Sequence, residues 1–363
     1  MIVVDAHEDI AWNAFTFGRD YSQPLAALRA YERGTTIPTL NRGEALLGWD
    51  AWLRGRVGVV FASLFAAPQR KQAGSWDVVC YETPEEAHRL CRAQLDYYHR
   101  LVDLHPDKFR LVTAAGELEA VLAGWHGEAS EARRVGLVLV LEGADAVREP
   151  DELPAWHARG VRVVGPAWAA TRYAGGTSEP GPFTRHGHAL LEAMAELGMI
   201  LDLSHLSDEG VLEALDRYPG ALIASHANAQ ARLPHSPVPE RHLSDAALRR
   251  LAARDGVVGI VPYNRFLKSD WQFPDPRAQV TLDDLAAHID YVCQVIGDAA
   301  HVGLGTDFDG GFGLASTPVG LDSVGDLGLI GEALRVRGYR PPEVEAILGG
   351  NWLRLLRRHL PES

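Results

Sequence analysis

Histidine and carboxylate side chains stand at the ends of several apolar, β-branched-rich runs in this sequence. They are His7, Asp9, Glu142, His205, His226 and Asp307. The carboxyl ends of the strands of an α/β barrel converge on a single pocket. Imidazole together with carboxylate suits Zn²⁺ and its borderline neighbours. The placement of these residues therefore predicts a metal site at the strand ends.

Taken one at a time, the motifs leave alternatives open. His7 and Asp9 are two residues apart and so share one face of a strand, although a solvated loop pair has the same spacing. Glu142 follows five apolar residues, where a charge is costly unless it is paired or binds metal. Of Asp307 and Asp309, one can bind metal or act as a general base while the other shapes the turn.

His205 and His226 each follow an apolar run and a serine. A lone histidine is more often a satisfied core residue, but two in the same context favour ligation. The six candidates exceed the three protein ligands that one catalytic zinc usually takes. With Glu142 among them, they predict two metals bridged by that carboxylate. Such a pair, ~3.5–4 Å apart, activates water and polarises a carbonyl, which indicates hydrolysis of an amide, ester or phosphoester.

Eight short apolar runs alternate with helical patterns along the chain. The runs span 2–6, 57–65, 136–142, 161–165, 199–204, 221–225, 256–262 and 302–306, and the helical patterns span 84–104, 117–133, 184–197, 207–217, 244–254 and 282–296. Thr83, Ser207 and Ser244 stand at N-cap positions. This alternation predicts an α/β fold with parallel strands, and eight of them indicate a (β/α)₈ TIM barrel. An open doubly wound sheet is the alternative, but no G-x-G-x-x-G motif follows the first strand.

We expect one domain over 1–363 with two loop insertions and a helical extension. The insertions span about 11–56 and 263–280, and loops of this length in a compact domain are usually functional. The tail over 326–359 has the pattern of two helices, the second beginning near Pro342. Trp12, Trp49, Trp168 and Trp271 lie in presumed strand-end loops, where aromatic walls for a substrate and ordinary loop packing are both open.

The composition argues against nucleic acid and membrane partners. The formal net charge is −13, whereas nucleic-acid binding needs a basic face and an anionic membrane repels an acidic protein. The three cysteines do not form a disulfide framework, so we expect reduced thiols. The sequence begins in a strand pattern without a basic segment or an apolar leader. We therefore expect a cytoplasmic protein.

The whole chain resembles the membrane (renal) dipeptidase family of binuclear zinc peptidases, which is related to the amidohydrolase barrels. The motifs that carry the resemblance are V-D-A-H-E-D, L-E-G, G-V-R, D-L-S-H-L-S, S-H-A-N, V-G-L-G-T-D-F-D-G and G-G-N-W-L-R, in collinear order. The combination of D-L-S-H with G-x-D-F-D-G is specific. The resemblance implies a (β/α)₈ barrel that cleaves small dipeptides, L-Xaa-D-Xaa substrates among them, with a metal-bridging hydroxide.

The resemblance also implies a role for individual residues. His7, Asp9 and Glu142 would hold one Zn²⁺, and Glu142 would bridge to a second Zn²⁺ on two histidines, His205 and His226. The same ligands accept Mn²⁺ or Co²⁺. Asp307 corresponds to the carboxylate that orients the hydroxide and passes its proton to the leaving amine. Arg241 matches the position that grips the substrate carboxylate, for which a guanidinium is well suited, although a surface ion pair is the alternative. Homodimers are common in the family, so the resemblance also implies a homodimer.

One position departs from the family pattern. The family carries a histidine that stabilises the oxyanion after G-V-R-x-x-T-L-T, and Trp168 stands there. Indole donates one hydrogen bond but carries no charge, and loss of one oxyanion donor costs ~10²–10³ in rate. We expect Arg172 or Tyr173 to supply the missing donor, with Arg172 directed into the pocket. Asn228, one step past a strand, is also expected to contact substrate, as is Tyr263.

Two other functions remain open at this stage. The first is a family member with an altered substrate, namely another small amide, or with weak catalysis because of Trp168. A weakly catalytic member would serve as a metal-dependent binding protein or as part of a biosynthetic pathway. The second is a lactonase or phosphotriesterase, which usually bridges its metals with a carbamylated lysine. The three lysines, Lys71, Lys108 and Lys268, do not end predicted strands, which argues against the second.

Overall fold

A closed ring of eight parallel strands forms the centre of the molecule. The computed structural model describes residues 1–126 and 132–362. The barrel strands are β1 (Val3–Glu8), β2 (Val57–Phe65), β3 (Val135–Glu142), β4 (Val161–Gly165), β5 (Ile200–Asp202), β6 (Leu222–Ala224), β7 (Val257–Ile260) and β8 (Val302–Leu304). Each coincides with one of the apolar runs, so the predicted strands are confirmed.

The strand order shows that the sheet closes on itself. Around the ring it is β2-β1-β8-β7-β6-β5-β4-β3, and β3 pairs again with β2. That closing pair keeps a continuous parallel register from Val59 opposite Gly136 to Phe65 opposite Glu142. An open doubly wound sheet has two free edges, so the closure excludes it. The (β/α)₈ barrel predicted from the sequence is confirmed.

Helices lie between and around the strands. Their bounds are Ile10–Phe17, Leu25–Glu32, Ile37–Leu40, Trp49–Gly55, Pro84–Leu104, Ala115–His126, Leu153–Ala158, Arg185–Glu196, Asp208–Arg217, Asp245–Ala253, Asn264–Leu267, Leu282–Ile296, Gly328–Val336, Pro341–Glu345 and Asn351–His359. All six predicted helices are present. The one expected over 117–133 reaches His126, and residues 127–131 lie outside the described part of the chain.

The predicted helix caps are confirmed at two of three positions. Thr83 forms a capping box with Glu86, and the Ser244 hydroxyl accepts from the backbone of Ala247. Ser207 stands at its N-cap position without capping. Its hydroxyl instead donates to the Gly181 carbonyl at 2.6 Å, because the neighbouring hairpin offers an acceptor within reach.

Three smaller pairings decorate the barrel. The strand Phe109–Leu111 pairs in parallel with the first three residues of β3. Ala67–Pro68 pairs with Cys80–Tyr81, and Ala174–Gly176 pairs antiparallel with Glu179–Phe183. The last pair follows β4 and lies next to β5, as the bridge from Gly176 to Leu206 shows. It therefore brings the segment after β4 close to the end of β5.

The long segment after β1 is anchored by a fully buried ion-pair network. Arg19 bonds Glu32 at 2.7 Å and lies 3.3 Å from Asp309, which follows β8. Asp309 also accepts from the Tyr21 hydroxyl at 2.8 Å and from the backbone of Leu46 at 3.0 Å. Breaking one partner of a buried pair leaves an uncompensated charge and is strongly destabilising. This network fixes the 11–56 insertion to the end of β8.

The C-terminal tail forms two helices, as predicted. Gly328–Val336 is the first, and a second helical stretch runs from Pro341 through a π-turn to His359. Trp352 on the second packs against Phe61 of β2 and donates to the Leu304 carbonyl at 3.0 Å. The tail is therefore part of the barrel core. No helix in the described ranges is long and apolar enough to cross a membrane.

Candidate metal centre

Glu142 lies at the centre of the predicted ligand cluster. It is the last residue of β3, and its two carboxylate oxygens face different partners. Its Oε2 is 3.4 Å from Nε2 of His7, while its Oε1 is 3.1 Å from Nε2 of His205 and 3.3 Å from Nε2 of His226. The structure thus brings Glu142 between two groups of histidine nitrogens.

The remaining candidates complete two overlapping groups. Asp9 Oδ1 lies 3.6 Å from His7 Nε2. Ligand atoms that lie within 4.8 Å of one another form three sets, which are His7, Asp9 and Glu142; Glu142, His205 and His226; and His7, His226 and Asp307. All six residues predicted from the strand ends therefore meet in one place. They come from the ends of β1, β3, β5, β6 and β8.

The donor chemistry fits a pair of metal cations. Both ring nitrogens of His7 are buried and have no hydrogen-bond partner among the described residues. The Nε2 atoms of His205 and His226 face each other at 3.0 Å. Nitrogen lone pairs that point at one another and at carboxylate oxygens repel each other. A cation bound between them removes this repulsion. Imidazole and carboxylate are ligands that zinc takes in catalytic sites.

The three histidines of the site differ in the direction in which their pKa values are shifted. Burial opposes a proton on His7, but the charges of Glu142 and Asp9 outweigh it and raise the pKa of His7 well above its ordinary value. Burial and Arg241 lower the pKa of His205 to about 4. Burial and His7 hold the pKa of His226 well below its usual range. His205 and His226 therefore keep the unprotonated nitrogen that a metal requires.

Polar groups behind the candidate ligands orient them. The Thr177 hydroxyl lies 2.9 Å from Nδ1 of His205. Ser225 Oγ lies 2.7 Å from Nδ1 of His226. The Ser63 hydroxyl donates to Asp9. A partner on Nδ1 directs Nε2 toward the metal and fixes the ring.

Asp307 sits on a turn whose shape the neighbouring residues require. Its φ angle is +57°, in the left-handed region, and its N–H donates to the His7 carbonyl at 3.1 Å. A Cβ on Gly310 would lie 2.0 Å from Asp307 Oδ1, so only glycine leaves room for this carboxylate. Burial, with Asp9 and Glu142 nearby, raises the pKa of Asp307 well above its ordinary value, against the opposing charges of His7 and Arg241.

A cavity of about 490 Å³ opens onto the ligand cluster. Its lining includes Asp9, Glu142, His205 and Asp307 from the cluster, and Trp12, Arg42, Phe65, Trp76, Trp168, Arg241, Tyr263, Phe266 and Phe312 from the surrounding loops. Trp12 and Trp168 thus line the cavity, which is one of the two possibilities left open for them by the sequence. A cavity with aromatic walls and a few polar groups is the usual form of a small-molecule site.

Arg241 is a buried cation at this cavity. Its Nη1 donates to the His226 carbonyl at 2.8 Å, while Nη2 has no partner within the described ranges. Its guanidinium also lies over the Phe266 ring, 5.3 Å from the centroid. The surface ion pair left open by the sequence is therefore wrong, because Arg241 is 4% exposed and forms no ion pair in the described chain.

Three residues predicted to bind substrate lie away from the cavity. Arg172 Nη2 donates to the Val147 carbonyl at 2.6 Å, and the Tyr173 hydroxyl donates to the same carbonyl, so both side chains face the loop after β3. Asn228 is fully buried and bonds the backbone of Val261 in both directions. The prediction that Arg172 is directed into the pocket is wrong, as is the pocket placement of Tyr173 and Asn228.

Two of the four strand-end tryptophans lie outside the cavity lining. Trp49 packs against Phe109, with Lys108 over its ring at 5.7 Å. Trp271 is buried behind Tyr263. Ordinary packing accounts for both, whereas Trp168 lies in the cavity beside His205, with ring centroids 5.9 Å apart.

Several residues that shape this site were not predicted from the sequence. Thr177 and Ser225 act through the histidines, and Arg42 and Trp76 line the cavity from the insertion after β1 and the segment after β2. For Ser225 the signal was present, since S-H follows two consecutive strands. For Arg42 and Trp76 the sequence offers no periodic pattern that would place them.

Comparisons with known proteins find similarity over nearly the whole chain. Residues 1–360 match the family model described as membrane dipeptidase, peptidase family M19. An uncharacterized protein of Klebsiella pneumoniae, encoded in the pqqA 5′ region, is 30% identical over 73% of this chain and 94% of its own length. The dipeptidase tcpJ of Claviceps purpurea is 27% identical over 84% of this chain and 67% of its own.

The fold is also similar to that of solved structures. A metallo peptidase from Rhodobacter sphaeroides, liganded with a phosphinate mimic of the dipeptide L-Ala-D-Ala, superposes with a TM-score of 0.77. The superposition covers 99% of both chains at 24% sequence identity. At this identity the similarity supports the barrel fold.

Proposed function

The chain belongs to the membrane dipeptidase family and is a metal-dependent hydrolase of the dipeptidase type. We propose that it holds two zinc ions per chain and cleaves small dipeptides, L-Xaa-D-Xaa substrates among them. The observation that carries this proposal is the position of Glu142. One of its oxygens faces His7 and the other faces His205 and His226, which is the arrangement of a bridging carboxylate.

Each ligand residue has a defined part in this proposal. His7 and Asp9 would hold one ion, His205 and His226 the other, and Glu142 both. The chemistry that such a pair of ions supplies when bound is activation of water and polarisation of the scissile carbonyl. Zinc is favoured by the mixture of imidazole and carboxylate, and Mn²⁺ or Co²⁺ would fit the same donors.

The protein's own groups handle the proton and the substrate carboxylate. Asp307 lies beside His7 and His226 and lines the cavity, so it can accept a proton from water and deliver it to the leaving amine. Arg241 lines the cavity, its Nη1 is held by the His226 carbonyl, and its Nη2 is unused among the described residues. A guanidinium in this position suits the C-terminal carboxylate of a dipeptide. The dipeptide mimic in the Rhodobacter sphaeroides structure supports a substrate of this size.

The direct test is kcat/KM of zinc-reconstituted protein across a panel of L,L- and L,D-dipeptides. Asp307→Asn serves as the control, because it keeps the size of the side chain and removes its basicity. We expect turnover of several members in the wild type and loss of that turnover in Asp307→Asn. A flat panel from protein that holds two metals per chain would refute the dipeptidase proposal.

Trp168 favours a second candidate, a family member that acts on a different small amide. Its indole borders the cavity beside Phe65 and His205, at the position where the family carries a histidine. The donors expected to replace that histidine, Arg172 and Tyr173, face another loop. Metal binding without dipeptide turnover, together with hydrolysis of N-acyl amino acids, would support this candidate.

A further inference from the structure

Arg42 is a second cation on the cavity wall. It is half-buried, and its Nη1 donates to the Tyr263 hydroxyl at 2.7 Å. Within the described chain this is the only hydrogen bond of its guanidinium, and the guanidinium forms no ion pair. By contrast, Lys71 in the same cavity is paired with Glu179 at 3.3 Å. Arg42 therefore presents unused donors to whatever occupies the cavity.

The backbone holds Arg42 in place. Its φ angle is +54°, a left-handed conformation that is uncommon outside glycine. The adjoining Gly43 lies so close to the segment after β8 that a Cβ there would be 2.3 Å from the Ala315 nitrogen. The Ser316 hydroxyl also bonds the Arg42 carbonyl at 3.3 Å. Because Arg42 directly follows Asn41, the C-cap of the helix Ile37–Leu40, the turn that ends this helix fixes its position.

Two aromatic rings separate Arg42 from Arg241 along one wall. Arg241 lies over Phe266, whose ring centroid is 5.0 Å from that of Tyr263, and Tyr263 in turn bonds Arg42. Arg241 is buried beside the metal ligands, whereas Arg42 is the more exposed of the two. The wall thus carries two separate guanidinium groups, although the protein as a whole is acidic. One C-terminal carboxylate occupies only one of them.

We propose that Arg42 binds the side-chain carboxylate of an acidic C-terminal residue, so that the preferred substrates are dipeptides ending in aspartate or glutamate. This inference rests on the proposed dipeptidase function and on Arg241 as the partner of the main-chain carboxylate. In such a residue the main-chain carboxylate and the acidic side chain are attached to the same Cα and point in different directions. Two separate cations therefore suit its two negatively charged groups. A guanidinium pairs with carboxylate through two parallel hydrogen bonds, for which Arg42 has donors free.

The test compares isosteric acidic and neutral substrates. The kcat/KM values of zinc-loaded protein are measured for Ala-Asp and Ala-Asn, each with an L- or D-residue at the second position. The proteins are the wild type, Arg42→Met, Arg42→Lys and Arg33→Met. Arg33 lies on the same insertion but is exposed and outside the cavity lining, so its variant matches the change in net charge.

We expect the wild type to favour the aspartate substrate by roughly 10- to 100-fold, the range for a charge-assisted pair. Arg42→Met should bring this ratio of kcat/KM values to near unity by lowering only the kcat/KM of the aspartate substrate. Arg42→Lys should keep part of the preference, and Arg33→Met should keep all of it. Equal rates on both substrates in the wild type would overturn the inference and leave the dipeptidase function standing. An equal fall on both substrates in Arg42→Met would also overturn it, and assign Arg42 to the main-chain carboxylate. No turnover of either substrate by protein that cleaves other members of the dipeptide panel would overturn this inference alone, whereas no turnover of any panel member would refute the dipeptidase function as well.

Discussion

The hydroxyl of Ser225 connects the candidate ligand His226 to a buried carboxylate. Its Oγ lies 2.7 Å from Nδ1 of His226 and donates to Oδ2 of Asp202 at 2.5 Å. Because that hydroxyl proton is given to Asp202, the oxygen accepts the Nδ1 proton of the imidazole. The lone pair on Nε2 then faces Glu142. This chain of bonds sets the tautomer that a metal site needs.

Ser225→Ala should weaken zinc binding by about 10- to 100-fold, the usual cost of removing such a partner. The fall is measured by competition with a zinc chelator of known affinity. Ser22→Ala is a matched control, since Ser22 is also fully buried and donates to an aspartate, Asp20, outside the metal cluster. Unchanged zinc affinity in Ser225→Ala, or the same loss in Ser22→Ala, would show that the relay has no specific role.

Thr177 should act on His205 in the same way. Thr177→Val keeps the shape of the side chain but removes the hydroxyl that faces Nδ1 at 2.9 Å. We expect about tenfold weaker zinc binding from this variant, and recovery in Thr177→Ser, which restores the hydroxyl. If serine were no better than valine in the same chelator competition, the bond to His205 would be irrelevant to the metal.

Gly310→Ala should damage catalysis without emptying the site. The added Cβ would lie 2.0 Å from Asp307 Oδ1 and force that carboxylate to move. A displacement of about 1 Å at a reacting group costs roughly 100-fold, so we expect kcat/KM on the best dipeptide to fall by that factor. Zinc content should stay at the wild-type value. Gly328→Ala, where a Cβ meets open space, is the control and should leave kcat/KM unchanged.

His242 should make the protein less stable in acid. Burial, with Arg241 nearby, lowers the pKa of His242 to about 3 from an ordinary value of 6.5. As the pH falls below 6.5, His242 binds a proton in the unfolded chain but stays neutral in the folded chain. The free energy of unfolding therefore decreases until the pH nears 3. At pH 5 this cost is about 2 kcal/mol.

The check on His242 is urea unfolding at pH 7 and at pH 5. For each protein the measured quantity is the decrease in the free energy of unfolding from pH 7 to pH 5. This decrease should be smaller in His242→Gln than in the wild type, by about 2 kcal/mol. His186→Gln, which changes an exposed histidine, should behave like the wild type. An identical pH dependence in wild type and His242→Gln would mean that His242 is not held neutral.

The barrel and the cluster of candidate metal ligands were predictable because strand ends leave a strong local signal. Glu142 closes a continuous apolar run and His7 follows a shorter run that is apolar except for Asp5, and parallel strands must bring such ends to one face. The register of β2 on β3 and the closure of the ring depend on packing among distant segments. Those details become visible only in the folded chain.

The substrate residues were harder to predict because sequence position does not determine side-chain direction in a loop. Arg172 and Tyr173 follow a strand as expected, but both side chains donate hydrogen bonds to the Val147 carbonyl and so do not reach the cavity. Asn228 is used to pin the backbone of Val261. Arg42 reaches the cavity from an insertion that the Arg19 network anchors to Asp309, a contact across 290 residues of sequence. Such long-range contacts have no periodic signature.

Metal stoichiometry decides whether Glu142 bridges two zinc ions. Zinc per chain is measured by inductively coupled plasma mass spectrometry after dialysis at one fixed free zinc concentration, for the wild type and for Glu142→Gln, with circular dichroism to confirm folding. We expect two zinc ions in the wild type and the loss of both in Glu142→Gln, because both ligand groups share this carboxylate. One zinc in the wild type, or two retained in Glu142→Gln, would contradict a bridging role for Glu142.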